Sequence, residues 1–339
     1  MISLFFKKRK STSNTSGNGR KILNRTDNQM SNRVPLRRKA AIVVVLVLLL
    51  SFGGSVYTYA ASDAYELMDR VAAGSEYPST QGLALGDGKA YVLKTNGEKG
   101  TECILFYGTK TNLNNTKKGL QLFHGNDMTY RRLDGKLYVA TRKREEKTKK
   151  TYIYRMTTTG RIDAKIETKY IVGSIACWLN YDKKNNKDAF VLKDTSGLFH
   201  IVQINGTKIT ELCQFNVNVA GNEDLNQGIC MYDGYLYVTY WNNQNGNSYV
   251  YRVDKKMSMV LKESKIGTTK SYTKTRVVTL DKKNLLAAAG VSGKSIKVEI
   301  ESIAFTGGYL YFTANANYED KTGKSRSLDG LYKVTKQLA

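Results

Sequence analysis

Short runs of alternating apolar and polar residues recur along this chain, and tight polar turns separate them. The clearest example is Gln227–Asp254, where one run ends at the dipeptide Asp233-Gly234, a second covers Tyr235–Tyr240 and a third ends at Val253. An Asp-Gly pair favours a two-residue hairpin turn because both positions tolerate positive φ. Alternation with a period of two indicates half-buried strands, so the stretch predicts three consecutive antiparallel β-strands.

The same unit occurs five times after residue 80. The copies begin with Gln81–Lys94, Asn126–Lys143, Ser174–Lys193, Gln227–Asp254 and Glu301–Asn315, and a further apolar stretch follows most of them, at Gly119–Phe123, Ile162–Ile166, Ile209–Cys213 and Met257–Leu261. The residue after each turn advances by 47, 52, 47 and 74 positions, at Ala90, Leu137, Ala189, Leu236 and Leu310. A four-stranded repeat of about 48 residues is typical of a β-propeller blade. We therefore predict an all-β fold in which residues 81–339 form a propeller of five four-stranded blades, with six blades as the alternative.

The 74-residue step leaves two points open. Thr275–Ala289 looks like a hairpin without a partner pair, which is either a degenerate sixth blade or an insertion into a five-bladed ring. We favour the insertion. The last copy has no obvious fourth strand before Ala339, so the connector at residues 62–80 is expected to close the ring. A short helix around Ala64–Ala72 is one option for that connector.

An aromatic residue recurs in the second strand of every copy, at Tyr91, Tyr138, Phe190, Tyr237 and Tyr311. Ordinary β-propensity would not by itself produce the same register five times. A four-stranded sheet with two apolar faces cannot bury both alone, so blades must stack on one another. We expect the recurring aromatic side chains to pack between adjacent blades.

The N-terminal part of the chain differs in composition from the repeats. Residues 1–39 contain 11 Lys and Arg against one acidic residue and have little apolar pattern, which predicts a disordered, basic, cytoplasmic tail. Ala40–Tyr59 carries no charge and follows Arg37-Arg38-Lys39. Twenty uncharged residues can span a bilayer, and the basic flank keeps the N-terminus inside. Residues 40–61 are thus a transmembrane signal-anchor or a signal peptide cleaved near Ala60, and either reading places residues 62–339 outside the cytoplasm.

Four cysteines lie inside predicted strands, at Cys103, Cys177, Cys213 and Cys230. An even number permits disulfides outside the cell, but strand cysteines often serve as small buried hydrophobic residues. We favour free, buried thiols. No pair has the spacing of a structural zinc site.

Two pairs of segments resemble known propeller repeats. Gln81–Val92 and Gln227–Val238 resemble the inner strand pair of NHL-like repeats, and His124–Thr141 and Glu299–Asn315 resemble blades of secreted bacterial propellers, loosely including helveticin-like proteins. The resemblance covers residues 81–335 and implies the fold alone. The chain lacks the proline of NHL repeats, the acidic YWTD motif and the sialidase boxes, so no family activity is implied.

Propeller ligands usually bind at the axis, beside the first residues of the innermost strands. The residues that open the five copies are polar, namely Gln81, Asp127, Ser174, Gln227 and Glu301, and His124 and Asn126 are adjacent in sequence. Such a ring could bind Ca²⁺, which prefers oxygen ligands, or a polar ligand such as a sugar. We predict a cation or polar ligand between Asp127 and Glu301, and no cofactor other than calcium. The alternative is that these residues line a water-filled channel and cap strand ends.

Three further features are candidates for surface contacts. Trp241 opens a polar loop, where its ring could stack on a sugar or pack internally. His200 lies in a strand and is expected to be packed or on the surface. The basic run Arg142–Lys150 lies between two strands, either as a solvated loop tip or as an attraction for anionic polymers, since residues 40–339 carry a net charge of +14.

These features favour a membrane-tethered extracellular propeller of a bacterial cell surface that acts as a binding or scaffolding module rather than as an enzyme. Its partners would be anionic wall polymers, glycans or a surface protein, and nucleic acid is not expected outside the cell. One alternative is a secreted glycan-active enzyme that uses Asp127 and Glu301 as its two carboxylates. Another is a bacteriocin-like factor that is secreted after cleavage.

Overall fold

The computed structural model describes residues 64–97, 100–218, 225–242 and 245–338. The predicted tail and membrane segment, residues 1–61, lie outside the described residues. Within the described ranges, no helix is long and apolar enough to cross a membrane.

Five antiparallel sheets form the blades of a propeller. Strand β1 (Tyr65–Arg70) comes first in the chain. The next eight strands form blade 1 from β2 (Ser79–Gly86), β3 (Lys89–Thr95), β4 (Glu102–Thr109) and β5 (Asn112–Gln121), and blade 2 from β6 (Gly125–Arg131), β7 (Lys136–Thr141), β8 (Thr151–Thr157) and β9 (Ile162–Thr168). Blade 3 consists of β10 (Val172–Asp182), β11 (Lys187–Asp194), β12 (Phe199–Asn205) and β13 (Lys208–Val217), with a 3₁₀ turn at Lys183–Asn185.

Blade 4 contains the insertion that lengthens its repeat. Its first three strands are β14 (Leu225–Tyr232), β15 (Tyr235–Trp241) and β16 (Ser248–Val253), followed by helix α1 (Met257–Glu263) and β17 (Lys270–Tyr272). Strand β17 leaves the blade and pairs in parallel with β13 of blade 3. The fourth strand of blade 4 is β18 (Lys274–Leu280), and helix α2 (Lys282–Ala288) leads on to blade 5.

The structure corrects two strand predictions in this region. Met257–Leu261 is helical because Met257 and Val260, one turn apart, bury one face of α1. Thr275–Ala289 is half strand and half helix, and the Asp281 side chain caps α2 by accepting a hydrogen bond from the Asn284 amide. Among the described residues there is no sixth blade, so the 74-residue step is an insertion.

Blade 5 joins the two ends of the described chain. Its strands are β19 (Lys294–Thr306), β20 (Tyr309–Glu319), β21 (Ser325–Ser327) and β22 (Gly330–Val334), and β1 pairs with β22 as the outermost strand. The expected ring closure by the connector is confirmed, but its optional helix at Ala64–Ala72 is wrong. Strand pairing with β22 and the edge-on packing of Tyr65 against Phe312, at 5.4 Å, hold this segment extended.

Five hydrophobic cores lie between neighbouring blades, one at each interface. All five recurring aromatic residues pack between adjacent blades, as predicted, and four of them, Tyr91, Tyr138, Tyr237 and Tyr311, pack toward the following blade. Phe190 packs toward the preceding blade instead, 4.7 Å from the Tyr138 ring. The prediction of free, buried cysteines is confirmed for all four, and burial raises the pKa of Cys103 to about 12 and of Cys213 to about 11.

Candidate binding site at the propeller axis

Each innermost strand contains a β-bulge near its start. The pairing shifts at Thr80/Leu83, Gly125/Asp127, Val172/Ser174, Asn226/Ile229 and Ile300/Ser302. A bulge adds a residue to one strand and changes the direction of the side chains around it. In blades 1, 2, 4 and 5 the strand pairs beyond the bulge align Leu83, Met128, Ile229 and Ile303 as equivalent residues, whereas in blade 3 the pairing shift comes one pair earlier along the strand.

The residues two positions before these form the layer at the mouth of the axis. This outer layer consists of Gln81, Asn126, Gln227 and Glu301. Its four side chains are 4–5% exposed and all line one cavity of about 470 Å³. The same cavity is lined by Ser79, His124, Arg142, Lys143, Lys297, Glu299 and Asn315. The structure therefore brings together five of the predicted residues, Gln81, His124, Asn126, Gln227 and Glu301, and it leaves out Asp127, Ser174 and Trp241.

The next layer inward is made of small residues and one carboxylate. It consists of Gly82, Asp127, Gly228 and Ser302, and Ser174 of blade 3 is buried beside it and donates a hydrogen bond to the Gln227 carbonyl at 2.8 Å. The inner strands approach closely here, because a Cβ atom on Gly82 would lie 2.9 Å from the Cβ of Met128 and one on Gly228 would lie 2.6 Å from the Cα of Ser302. Glycine at these two positions permits the approach.

The Asp127 side chain connects four of the five blades. One oxygen, Oδ1, accepts hydrogen bonds from the Met128 amide at 2.9 Å and the Ser302 hydroxyl at 2.6 Å. The other, Oδ2, accepts from the amides of Ile175 at 3.0 Å and Ile229 at 3.2 Å. Its own strand is in blade 2 and its donors extend to blades 3, 4 and 5. Burial raises the pKa of Asp127 to about 7, against the opposite effect of the four hydrogen bonds.

The structure corrects the predicted pairing of Asp127 with Glu301 at one mouth. Asp127 is fully buried in the inner layer, whereas Glu301 lines the cavity, because the alignment of blade 2 is shifted by one residue at the bulge. In the part of the chain that the structure describes, no group of three or more His, Cys, Asp and Glu residues is placed to hold a metal ion. Calcium at Glu301 stays an untested prediction, without Asp127 as a ligand.

Two glutamates face the cavity from β19. Glu299 forms an ion pair with Lys297 at 2.6 Å and accepts a hydrogen bond from the Gln227 amide at 2.6 Å. Burial, and then the nearby Glu299 charge, raise the pKa of Glu301 well above its usual range. Glu299 was not predicted as a site residue, although its place two residues before Glu301 on an alternating strand puts both on one face.

The amides of the outer layer are held in place by hydrogen bonds. Gln81 donates to the Ser79 hydroxyl at 2.9 Å, and Asn126 donates to the Gly173 carbonyl at 2.7 Å. Asn315 donates to the same Ser79 hydroxyl at 3.3 Å. His124, 7% exposed and with φ of 61°, lies directly before β6 beside them. The polar lining is therefore a built surface whose side chains are already oriented.

The start of the predicted basic run lies at this cavity. Arg142 and Lys143 line it from the loop between β7 and β8, while the rest of Arg142–Lys150 extends away. Within the described ranges neither side chain forms a salt bridge, whereas Lys165 pairs with Glu145 and Lys150 with Glu167. The run thus divides into a cavity part and a part that forms surface ion pairs.

The other two candidates lie elsewhere. Trp241 ends β15 away from the cavity lining, and its ring nitrogen is buried without an acceptor among the described residues. His200 is packed, as expected, between Glu211 at 2.6 Å and Asp194 at 3.4 Å, and stacks on Tyr170. Hydrogen bonds to these carboxylates raise the pKa of His200, although burial acts in the opposite direction.

The comparisons with known proteins give only weak structural likeness. No protein-family model matches the chain, and no curated protein matches its sequence significantly. The tail fiber of Staphylococcus aureus phage P68 is similar at 11% identity over 88% of this chain and 57% of the fiber, with a TM-score of 0.49. A GH43 β-xylosidase/α-arabinofuranosidase from a compost microbial metagenome is similar at 10% identity over 78% of this chain and 98% of that enzyme, with a TM-score of 0.41. The Malassezia sympodialis allergen Mala s 1 is similar at 12% identity over 75% of this chain and 77% of the allergen, with a TM-score of 0.40. Likeness at this level says nothing about what this chain binds or does.

Proposed function

We propose that this propeller is a binding module that holds a polar ligand in the axial cavity. The observation that carries the proposal is the cavity of about 470 Å³ lined by charged and amide side chains. This volume lies within the range of small-molecule sites. A lining of this kind favours a ligand with many hydrogen-bonding groups, because an apolar ligand would bury these groups without partners.

The test is direct binding of an oligosaccharide panel to the folded protein and to two variants. Gln227→Ala removes a side chain that lines the cavity, and we expect binding to weaken about tenfold because a buried hydrogen-bond partner is lost. Asn115→Ala, on the exposed strand β5, is the matched control and should bind as the parent does. Equal affinity in both variants would place the ligand outside the cavity.

We also propose where the propeller is located and what it does there. The uncharged segment Ala40–Tyr59 supports a tether that presents the propeller on the outside of a bacterial cell, as a binding or scaffolding module. Anionic wall polymers, glycans or a surface protein are the partners that fit its positive charge. A relation to NHL-like or helveticin-like propellers, and secretion as a bacteriocin-like factor, rest on the sequence resemblance alone. N-terminal sequencing of protein from the culture medium tests secretion, and a start near Ala61 would support it.

Glycan hydrolysis is the second candidate function. Its two carboxylates would be Glu301 and Glu299 instead of Glu301 and Asp127. Glu301 is a buried acid whose raised pKa suits a proton donor, and Glu299, paired with Lys297, is a second carboxylate in the same cavity. Incubation with wall polysaccharides and analysis for released sugars tests this role. Product formation by the parent and its loss in Glu301→Gln would support hydrolysis, while binding without product would leave the binding module.

A further inference from the structure

Charge is unevenly distributed between the inner and outer parts of the axial cavity. The inner part of the cavity is its floor, which is formed by the amides of the outer layer (Gln81, Asn126 and Gln227) and by the Asn315 amide. All four are at most 8% exposed. The outer part, which we call the rim, is formed on the side of blade 2 by Arg142 and Lys143, of which Arg142 is exposed and Lys143 half-buried. Amides pair well with hydroxyl groups, and two adjacent cations pair well with an anion.

The two carboxylates of the cavity do not neutralise this rim. Glu299 is already paired with Lys297 at 2.6 Å, and Glu301 is buried at 4% exposure beside Asn315. In the described residues, Arg142 and Lys143 have no acidic partner. Among the described residues, the rim cations are therefore not ion-paired with the carboxylates of the cavity.

A third cation increases the positive charge behind the rim. Lys193 of blade 3 is half-buried, and burial together with the nearby Arg142 charge lowers its pKa to about 8, although Asp194 acts in the opposite direction. Lys193 therefore adds positive charge near Arg142, which favours binding of an anion at the rim.

We propose that the ligand of this cavity is an acidic saccharide, whose hydroxyls contact the inner amides and whose carboxylate or phosphate contacts Arg142 and Lys143. This inference rests on the proposed binding function and adds the chemical class of the ligand. A neutral saccharide would use only the inner amides, and a simple anion would use only the rim. A ligand with both groups uses the whole cavity.

The experiment measures binding of four matched probes by calorimetry or ligand-observed NMR at low salt. The probes are glucose, glucuronate, glucose 1-phosphate and inorganic phosphate. We expect at least one of the two acidic sugars to bind about tenfold more tightly than both glucose and inorganic phosphate, because charge-assisted hydrogen bonds add to those of the hydroxyls. The tighter of the two identifies the acidic group, and higher salt should reduce the difference.

Two double variants of one loop provide the control. Arg142→Ser with Lys143→Ser should abolish the preference for the acidic sugar over glucose. Arg144→Ser with Lys147→Ser removes the same charge from exposed residues that do not line the cavity, and it should keep the preference.

The outcomes separate this inference from the proposed function. Glucose bound as tightly as both acidic sugars would overturn the acidic class while leaving the binding module intact. Inorganic phosphate bound as tightly as the tighter of the two acidic sugars would overturn the saccharide part. A preference that survives in the rim variant would also overturn the inference. Absence of binding to all four probes and to the oligosaccharide panel would contradict both proposals.

Discussion

At the scale of single residues, the axis depends on one carboxylate and two glycines. Asp127 accepts four hydrogen bonds from strands of four blades, and no water is needed to satisfy it. A fully buried carboxyl group favours its neutral form because burial penalises charge more than the hydrogen bonds offset. The same residue therefore holds the ring together and makes its stability depend on pH.

We expect the free energy of unfolding to fall with rising pH in the parent protein and not in Asp127→Asn. The folded pKa of Asp127, about 7, lies above the unfolded value of 3.8, so the folded state binds more protons between these values. The contribution of this group is fully present below about pH 4 and is lost as pH rises toward 7, on the order of 4 kcal/mol in the free energy of unfolding. Urea unfolding from pH 4.5 to 8 should show this decline in the parent and not in the variant. Parallel curves of unfolding free energy against pH for the two proteins would contradict the predicted role of Asp127.

Two alanine substitutions test how closely the inner strands approach each other at the axis. Gly228→Ala places a Cβ 2.6 Å from the Cα of Ser302, so the strands must move apart, whereas Gly173→Ala meets nothing closer than the Lys193 carbonyl at 3.7 Å. We expect Gly228→Ala to lose about 1–3 kcal/mol of stability by overpacking and Gly173→Ala to change it little. Thermal unfolding measures both, and equal melting temperatures would show that the inner strands can separate freely.

At the scale of elements, alternation and turns predicted most strands, and local irregularities decided the rest. The turn at Asp233-Gly234 and its repeated counterparts predicted the first two strands of all five blades, because turn residues and alternation are local signals. The bulges are not visible in an alternating pattern, so the residue opening blade 2 was shifted by one, which placed Asp127 at the mouth instead of Asn126. One available signal was the small residue after the polar one in Gln81-Gly82 and Gln227-Gly228. The insertion in blade 4 was predicted, but α1 was not, because an apolar run of five residues fits strand and helix alike.

An ion pair joins blades 1 and 5 where the ring closes. Lys94 on β3 contacts Asp329 before β22 at 2.7 Å, and the side chains are 2% and 4% exposed. Lys94 also donates to the Val71 carbonyl, and Asp329 accepts from the Ala316 amide. Removing one partner leaves a buried charge uncompensated, which typically costs about 3–5 kcal/mol.

A double-mutant cycle tests this pair. We expect Lys94→Met and Asp329→Asn each to destabilise strongly, and the double variant to be much less unstable than the sum of the two, because neither charge is then left alone. Chemical denaturation of the four proteins gives the coupling free energy. Additive losses would mean that the two charges do not stabilise each other. The Lys118–Glu76 pair, whose side chains are each 58% exposed, is the surface control.

At the scale of the whole molecule, five interfaces of the same kind distribute stability around the ring. Each core is shared by two blades, so no blade buries its apolar faces alone. The number of blades could be read from the repeats. The ligand cavity could not, because Arg142, Lys143 and Glu299 reach it only through the three-dimensional arrangement of loops and strands.

The proposed location makes a prediction for the intact cell. If Ala40–Tyr59 tethers the chain with its propeller outside, added protease should remove the propeller from intact cells. Immunoblotting against residues 81–339 measures this, with a cytoplasmic protein as the control for lysis. Protection in intact cells followed by digestion after permeabilisation would place the propeller inside.

The pairing of β1 with β22 also bears on how the chain acquires its structure during synthesis. Ala64 and Thr335, which share a hydrogen bond at this seam, are 271 residues apart in sequence. At about 5–20 residues per second, β1 leaves the ribosome on the order of tens of seconds before its partner strand exists. Until then its edge is unpaired, and a chain that stops before β22 keeps it so. The seam thus distinguishes finished chains from interrupted ones, since only a finished chain removes its first strand from the reach of proteases and chaperones.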